Sequence, residues 1–140
     1  MESWKLLLLA ALTIAGAMAT AKYEASQYAL QRKLSHVLLT LMRVAFGLLL
    51  IRTVLTPETL WHFLFPLLLL AGIFAPSHRV SLWWFRTHRY KQRIPFVHLG
   101  KGWYDTLWMT LSRGNMTLAY CLMTAFEHLI AAAMYNQLTP

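Results

Sequence analysis

Three charged side chains and a neighbouring histidine inside apolar stretches of the sequence are placed where they could hold or move charge. Arg43 and Arg52 share one stretch, and Glu127 and His128 share another. An unpaired charge in hydrocarbon is costly, so such residues either pair with one another or line a wet path. We expect Arg43 and Glu127 to form a buried ion pair, and all four side chains are candidates for an ion or proton path.

The spacing within each stretch limits this chemistry. Arg43 and Arg52 are separated by two and a half helical turns, so they point to nearly opposite faces, and we expect Arg52 to extend towards the lipid headgroups. His128 follows Glu127 directly and therefore points about 100° away from it. A hydrogen-bonding role in packing is thus the simpler interpretation of His128, with a proton relay as the alternative.

No other constellation of residues indicates a cofactor or a catalytic centre. His78, His88 and His98 recur every ten residues, a spacing that fits neither a helical metal site nor a zinc loop. His62 and His128 are the histidines within the apolar stretches that could hold a haem, but an ordinary role in helix packing explains them as well. We therefore expect no metal, no cofactor and no enzymatic activity.

The composition places the chain in a membrane. Of its 140 residues, 58% are hydrophobic and only 13% are charged, whereas soluble domains average about a quarter charged. One cysteine, Cys121, excludes an intrachain disulfide. Four apolar stretches approach the 17–25 residues that a spanning helix needs. The predicted fold is an all-α, polytopic membrane helical bundle in one domain, residues 1–140, with spans at 6–21, 34–55, 60–76 and 116–134.

The long segment 77–115 is basic and aromatic, and it orients the bundle. Ten basic residues fall in 22–36 and 77–115, against Lys5 and Arg52 on the other side. By the positive-inside rule these segments face the cytoplasm, which predicts a bacterial inner membrane protein that contacts anionic headgroups and binds no nucleic acid. An amphipathic helix with Trp103 and Trp108 on its apolar face is expected to lie in the interface. The predicted anchors are Trp83, Trp84, Arg86, Arg89, Lys91, Arg93, Trp103, Tyr104 and Trp108.

The first stretch has a second interpretation. Lys5 precedes an apolar run that ends in Ala19-Thr20-Ala21, as in a cleaved signal peptide. Cleavage would place the basic loop outside, against the charge rule, so a retained first span is favoured. Its small residues Ala11, Ala15 and Ala19 predict close packing on the last span, which carries Ala131–Ala133, or on another copy of the chain.

Three functions compete at this level. The first is a non-enzymatic assembly or accessory subunit of a membrane complex, or a homo-oligomer. The second is a homo-oligomeric pore, either an ion channel or a holin-like lesion, that uses Arg43, Arg52, Glu127 and His128. The third is a small proton-coupled exporter. Length and span number are similar to those of the small multidrug resistance exporters, but their essential glutamate lies in the first span, and the predicted span 6–21 has no acidic residue.

Overall fold

The computed structural model describes residues 2–100 and 102–139, and that part of the chain is helical, with no strand. Four of its helices are long and apolar enough to cross a membrane, so the chain is an integral membrane protein. A π-helical turn, Phe85–Arg89, continues the third helix. The helices are α1 (Ser3–Ala29), α2 (His36–Leu55), α3 (Trp61–Trp84), α4 (Trp103–Leu111) and α5 (Met116–Leu138).

Two spanning helices are longer than their apolar stretches. α1 continues eight residues beyond the predicted end at Ala21, because the sequence after Lys22 contains no glycine or proline to stop it. α3 likewise continues through Pro76. At 1.5 Å per residue α1 is about 40 Å long, more than the ~30 Å hydrocarbon core. The first spanning helix therefore contains an acidic residue, Glu24, which the predicted span 6–21 excluded.

Local capping fixes where the other helices begin and end. The side chains of Ser35 and Asn115 accept hydrogen bonds from the backbone N–H groups of Leu38 (3.3 Å) and Leu118 (3.0 Å). α2 ends at Thr56, which adopts a left-handed conformation with φ of 47°. These caps set the register at which α2 and α5 present their polar side chains to α3.

α3 is the central helix, and its main neighbours are α1, which runs parallel to it, and α5, which runs antiparallel. A side chain on Gly72 would come within 2.8 Å of the Glu127 carbonyl oxygen, so α5 lies directly against the α3 backbone. α1 faces α3 through the buried row Ala17, Ala21 and Ala25.

The predicted packing of the row Ala11, Ala15 and Ala19 on the last span does not occur, whereas its packing on another copy of the chain stays a prediction. Ala11, Ala15 and Ala19 are exposed, and within the described residues the backbones of α1 and α5 do not approach each other closely. Two rows of alanines with the same four-residue spacing, offset by two positions, lie about 200° apart on a helix. Spacing alone could not say which row faces the bundle.

The two ends of the bundle differ in character. A cluster of buried leucine and isoleucine side chains closes the end where α1 begins and α2 ends: Leu6, Leu9, Ile51, Leu69 and Leu70. The opposite end, where α1 ends and α2 and α5 begin, is called the loop side here. Its polar side chains form the candidate site.

Candidate functional site

Three helices contribute to a buried polar group, the histidine cluster, made of Glu24 on α1, Arg43 on α2 and His78 on α3. The Arg43 guanidinium donates to the Glu24 carboxylate, whose Oε1 lies 3.0 Å from Nε2 of His78. Phe74 stacks on the His78 ring at 5.5 Å and lies 5.4 Å from the Arg43 guanidinium carbon. Glu24 and His78 are buried, whereas the Arg43 side chain is 28% exposed.

The hydrogen bonds of this cluster admit two proton arrangements. Nε2 of His78 also lies 3.2 Å from Nη2 of Arg43, and an arginine nitrogen can only donate. If Nε2 carries a proton, it donates to Glu24 and makes no hydrogen bond with Arg43. If Nε2 lacks that proton, its single lone pair accepts either from Arg43 or from a protonated Glu24. The geometry thus suits a proton that passes between a carboxylate and an imidazole.

A second group, the bidentate cluster, lies on the other side of α3 and comprises Arg79, Glu127, Tyr104 and Thr124. Both terminal nitrogens of Arg79 donate to the Glu127 carboxylate, one of them at 2.7 Å. The Tyr104 hydroxyl donates to Oε1 of Glu127 at 3.2 Å, and Thr124 Oγ1 accepts from Arg79 at 3.4 Å. Fork-to-fork pairing of this kind is strong and geometrically specific, so this cluster suits a fixed lock between α3 and α5.

The environment of Tyr104 follows from this lock. Burial raises the pKa of its hydroxyl above the ordinary value of 10.0, and the nearby Glu127 carboxylate raises it further. The neutral phenol therefore remains available as a donor to Glu127.

Adjacent positions on α3 direct the two clusters apart. His78 and Arg79 are consecutive, so their side chains leave the helix about 100° from each other. One reaches α1 and α2, and the other reaches α5. α3 therefore carries two polar centres at the same depth.

A cavity of about 570 Å³ opens at the loop side between these elements. Its size is within the range of small-molecule sites. The histidine cluster forms part of its wall, together with Arg79 and Arg86 of α3 and its π-helical turn. The aromatic part of the wall consists of Tyr28, Phe74, Trp83, Phe96, Trp103, Tyr104 and Tyr120.

The predicted charge pair is replaced by two others. Arg43 binds Glu24 and Glu127 binds Arg79, so the expected Arg43–Glu127 pair does not form. Arg52, expected to extend to the headgroups, is exposed and donates to the Pro57 carbonyl oxygen at 3.3 Å.

His128 also lies outside both clusters. It is exposed, and its Nδ1 lies 2.7 Å from the carbonyl oxygen of Thr124. A carbonyl oxygen only accepts, so Nδ1 carries the proton.

The predicted interface residues fall into two groups. Trp84, Arg89, Lys91, Arg93 and Trp103 are exposed. The others are partly buried: Trp83 donates to the Ile94 carbonyl oxygen (3.1 Å), Arg86 donates to Gln92 (2.7 Å), and Tyr104 and Trp108 pack against α5. Lys101, one of the basic residues counted above, lies outside the described residues.

Sequence reasoning missed three of the central residues, Glu24, His78 and Arg79, because all three lie beyond the predicted span ends. A usable signal existed for the first. The row Ala17, Ala21 and Ala25 continues past Lys22 at helical spacing, and Glu24 belongs to the same face. For His78 and Arg79, the sequence 80–85 is compatible with an interfacial end of the third helix or with a separate surface helix, and α3 does continue to Trp84.

Comparisons bring no relative to this site: no family model, curated protein or solved structure matches the chain. In the described part of the chain, no three His, Cys, Asp or Glu side chains are placed to hold a metal ion.

Proposed function

We propose that the chain is a small, non-enzymatic carrier of the bacterial inner membrane that couples ligand movement to a proton. The observation that carries this proposal is the histidine cluster in the wall of a cavity at the loop side of the bundle. A carrier needs a site reached from one side at a time, and proton coupling needs a titratable group at that site. This develops the exporter interpretation of the sequence.

The sealed end supports the same proposal. Leu6, Leu9 and Ile51 are buried beneath the cavity, away from the loop side. A continuous pore would need a wet path at this level. The pore interpretation also requires Arg43 and Glu127 to face a channel between subunits, whereas both are bound to partners within one chain. The geometry therefore favours the carrier over the pore.

The orientation is part of the proposal. The basic loop places the open end of the cavity in the cytoplasm, and α4 lies in the plane of the interface. Trp103 and Leu111 of α4 are exposed, which suits contact with lipid, while Tyr104 and Trp108 hold α4 against α5.

Solid-supported membrane electrophysiology on proteoliposomes tests the carrier. Concentration jumps of small organic anions and cations, applied with and without a pH gradient, should produce a charge displacement that the gradient modifies. Glu24→Gln should abolish the effect of the gradient. Glu2→Gln is the matched control, because Glu2 is exposed and pairs only with Lys5 at the sealed end. A wild-type protein that responds to no solute would count against the carrier.

An assembly subunit or homo-oligomer is the second candidate, favoured by the packing of α2. Only Leu39, Gly47 and Ile51 of this helix are buried, and Leu49 is 64% exposed. Lipid could cover this face equally well. A photo-crosslinker at Leu49 in native membranes decides between them, with one at Ile51 (0% exposed) as the control. Adducts to a protein from Leu49 alone would support assembly, and adducts to lipid alone would oppose it.

A further inference from the structure

The loop-side cavity contains one arginine that forms no ion pair within the described chain. Arg86 lines the cavity but forms no ion pair there, whereas Glu24 binds Arg43 and Glu127 binds Arg79. Its Nε donates to Gln92 at 2.7 Å, while its two terminal nitrogens have no acceptor among the described residues. The fork of the guanidinium is therefore free to bind an anion.

The ring of Tyr28 holds this guanidinium in place. The Arg86 carbon lies 4.4 Å from the ring centroid of Tyr28, a close cation–π contact. Tyr28 also lines the cavity, and its hydroxyl has no hydrogen-bond partner in the described residues. A phosphate bound by the Arg86 fork could accept a further hydrogen bond from this hydroxyl.

The remaining charges on the wall are compatible with an anion. Asp105, the second carboxylate there, accepts a hydrogen bond from the Gly100 backbone N–H at 2.7 Å. His36, His78 and His98 also line the cavity. With both ion pairs intact and Asp105 counted against Arg86, the cavity is neutral, and each protonated histidine adds one positive charge.

The position of the cavity indicates the source of the anion. It lies at the end of helices that exceed the hydrocarbon core, next to Trp83 and Trp103, at the depth of lipid headgroups. We propose that the cavity binds the phosphate group of an amphipathic ligand, between the Arg86 fork and the Tyr28 hydroxyl. The aromatic wall contacts the apolar part of that ligand. This ligand is then the substrate class of the proposed carrier. Only its transport rests on the proposed function, and its binding does not.

Binding is measured without any gradient, by isothermal titration calorimetry of the purified full chain in a zwitterionic detergent. The probes are short-chain phosphatidylglycerol, short-chain phosphatidylcholine, glycerol phosphate and inorganic phosphate. The wild type should bind phosphatidylglycerol more tightly than phosphatidylcholine, because the choline of phosphatidylcholine carries a fixed positive charge that would lie beside the arginines of the cavity. Competition by glycerol phosphate would identify a soluble phosphate ester as the source, and its failure to compete would identify the lipid headgroup.

Arg86→Gln should weaken binding about tenfold, because charge-assisted bidentate contacts are lost. Arg89→Gln is the matched control: it removes the same charge from the same π-helical turn, but Arg89 is exposed and outside the cavity. The control should stay within about twofold of the wild type. If Arg86→Gln does not fold, Arg86→Lys serves, since it retains the charge and loses the fork.

Three results would overturn the site. The first is an equal loss of affinity in Arg86→Gln and Arg89→Gln, which would indicate attraction by the charged surface. The others are equal affinity for phosphatidylglycerol and phosphatidylcholine, and an unchanged affinity in both Arg86→Gln and Arg86→Lys. The proposed function fails separately. If phosphatidylglycerol binds through Arg86 but no solute or lipid is moved in proteoliposomes, the carrier is wrong and the site stands. If transport occurs and Arg86 does not affect binding, the site alone is wrong.

Discussion

The two polar clusters on either side of α3 use the same kinds of residue for different ends. In the bidentate cluster, Arg79 engages Glu127 with both terminal nitrogens and Tyr104 adds a third hydrogen bond. In the histidine cluster, one nitrogen of Arg43 and an imidazole meet a single oxygen of Glu24. The bidentate cluster leaves few alternative hydrogen-bond arrangements, whereas the histidine cluster admits at least two proton arrangements. The other groups that bind the carboxylate of a buried ion pair thus decide whether the pair only fixes two helices together or can also exchange a proton.

The largest expected effect comes from breaking the lock. Glu127→Leu leaves the Arg79 guanidinium buried without a carboxylate, which should cost about 3–5 kcal/mol in the free energy of unfolding. Arg79→Leu should cost a similar amount, and the double variant should recover most of it. Unfolding in mixed micelles measures all three.

The same experiment tests the choice of partner. Adding Arg43→Leu to Glu127→Leu should recover nothing, since Arg43 binds Glu24. If Arg43→Leu recovered as much unfolding free energy as Arg79→Leu, the two-cluster arrangement would be contradicted. The Arg43–Glu127 pair predicted from the sequence would then be supported.

Glu24→Gln should cost less than Glu127→Leu, about 1.5–3 kcal/mol. Arg43, unlike Arg79, is partly exposed towards the cavity (28% against 16% for the side chains), so water can replace part of the lost contact. The unfolding free energy of the single variant gives the comparison. A loss as large as that of Glu127→Leu would mean that both clusters are locks.

Gly72→Ala tests how closely α5 approaches α3 beside the bidentate cluster. The new Cβ would meet backbone, the Glu127 carbonyl oxygen at 2.8 Å, and should cost about 1–3 kcal/mol. Gly16→Ala is the control, because its Cβ would meet the partly exposed ring of Phe46, which can move. Similar unfolding free energies for the two variants would argue against a tight α3–α5 contact.

Tyr104→Phe should have the smallest effect, about 1 kcal/mol for one hydroxyl hydrogen bond. Since the pKa of Tyr104 is raised above 10.0, its contribution is complete below that pH and is lost as the pH rises further. An ultraviolet difference titration of wild type against the variant should show this phenol ionising after a free tyrosine would. Ionisation of Tyr104 at or below the ordinary tyrosine pKa of 10.0 would contradict its contact with Glu127.

The sequence predicted the number and kind of spanning helices, because the hydropathy of 20-residue stretches reports directly on the cost of crossing lipid. It could not predict the ion pairs. Apolar stretches end at Ala21 and Pro76, but the helices continue, and the partners Glu24 and Arg79 lie in those continuations. A polar residue near a helix end reaches the headgroups or water at little cost, so it adds nothing to the hydropathy of the span that would identify it. Which arginine meets which glutamate depends on packing faces, and alanine rows with identical spacing left those faces undecided.

One measurement tests the difference between the clusters most directly: the ring ¹⁵N signals of His78 in lipid nanodiscs, assigned against His78→Gln among the six histidines. Proton coupling through the histidine cluster predicts that these signals move with pH, because binding or release of a proton at the cluster changes the protonation of this ring or of its hydrogen-bond partner. His78 signals that stay constant between about pH 5 and 8 would show a ring closed to protons, and proton coupling through this cluster would then be wrong.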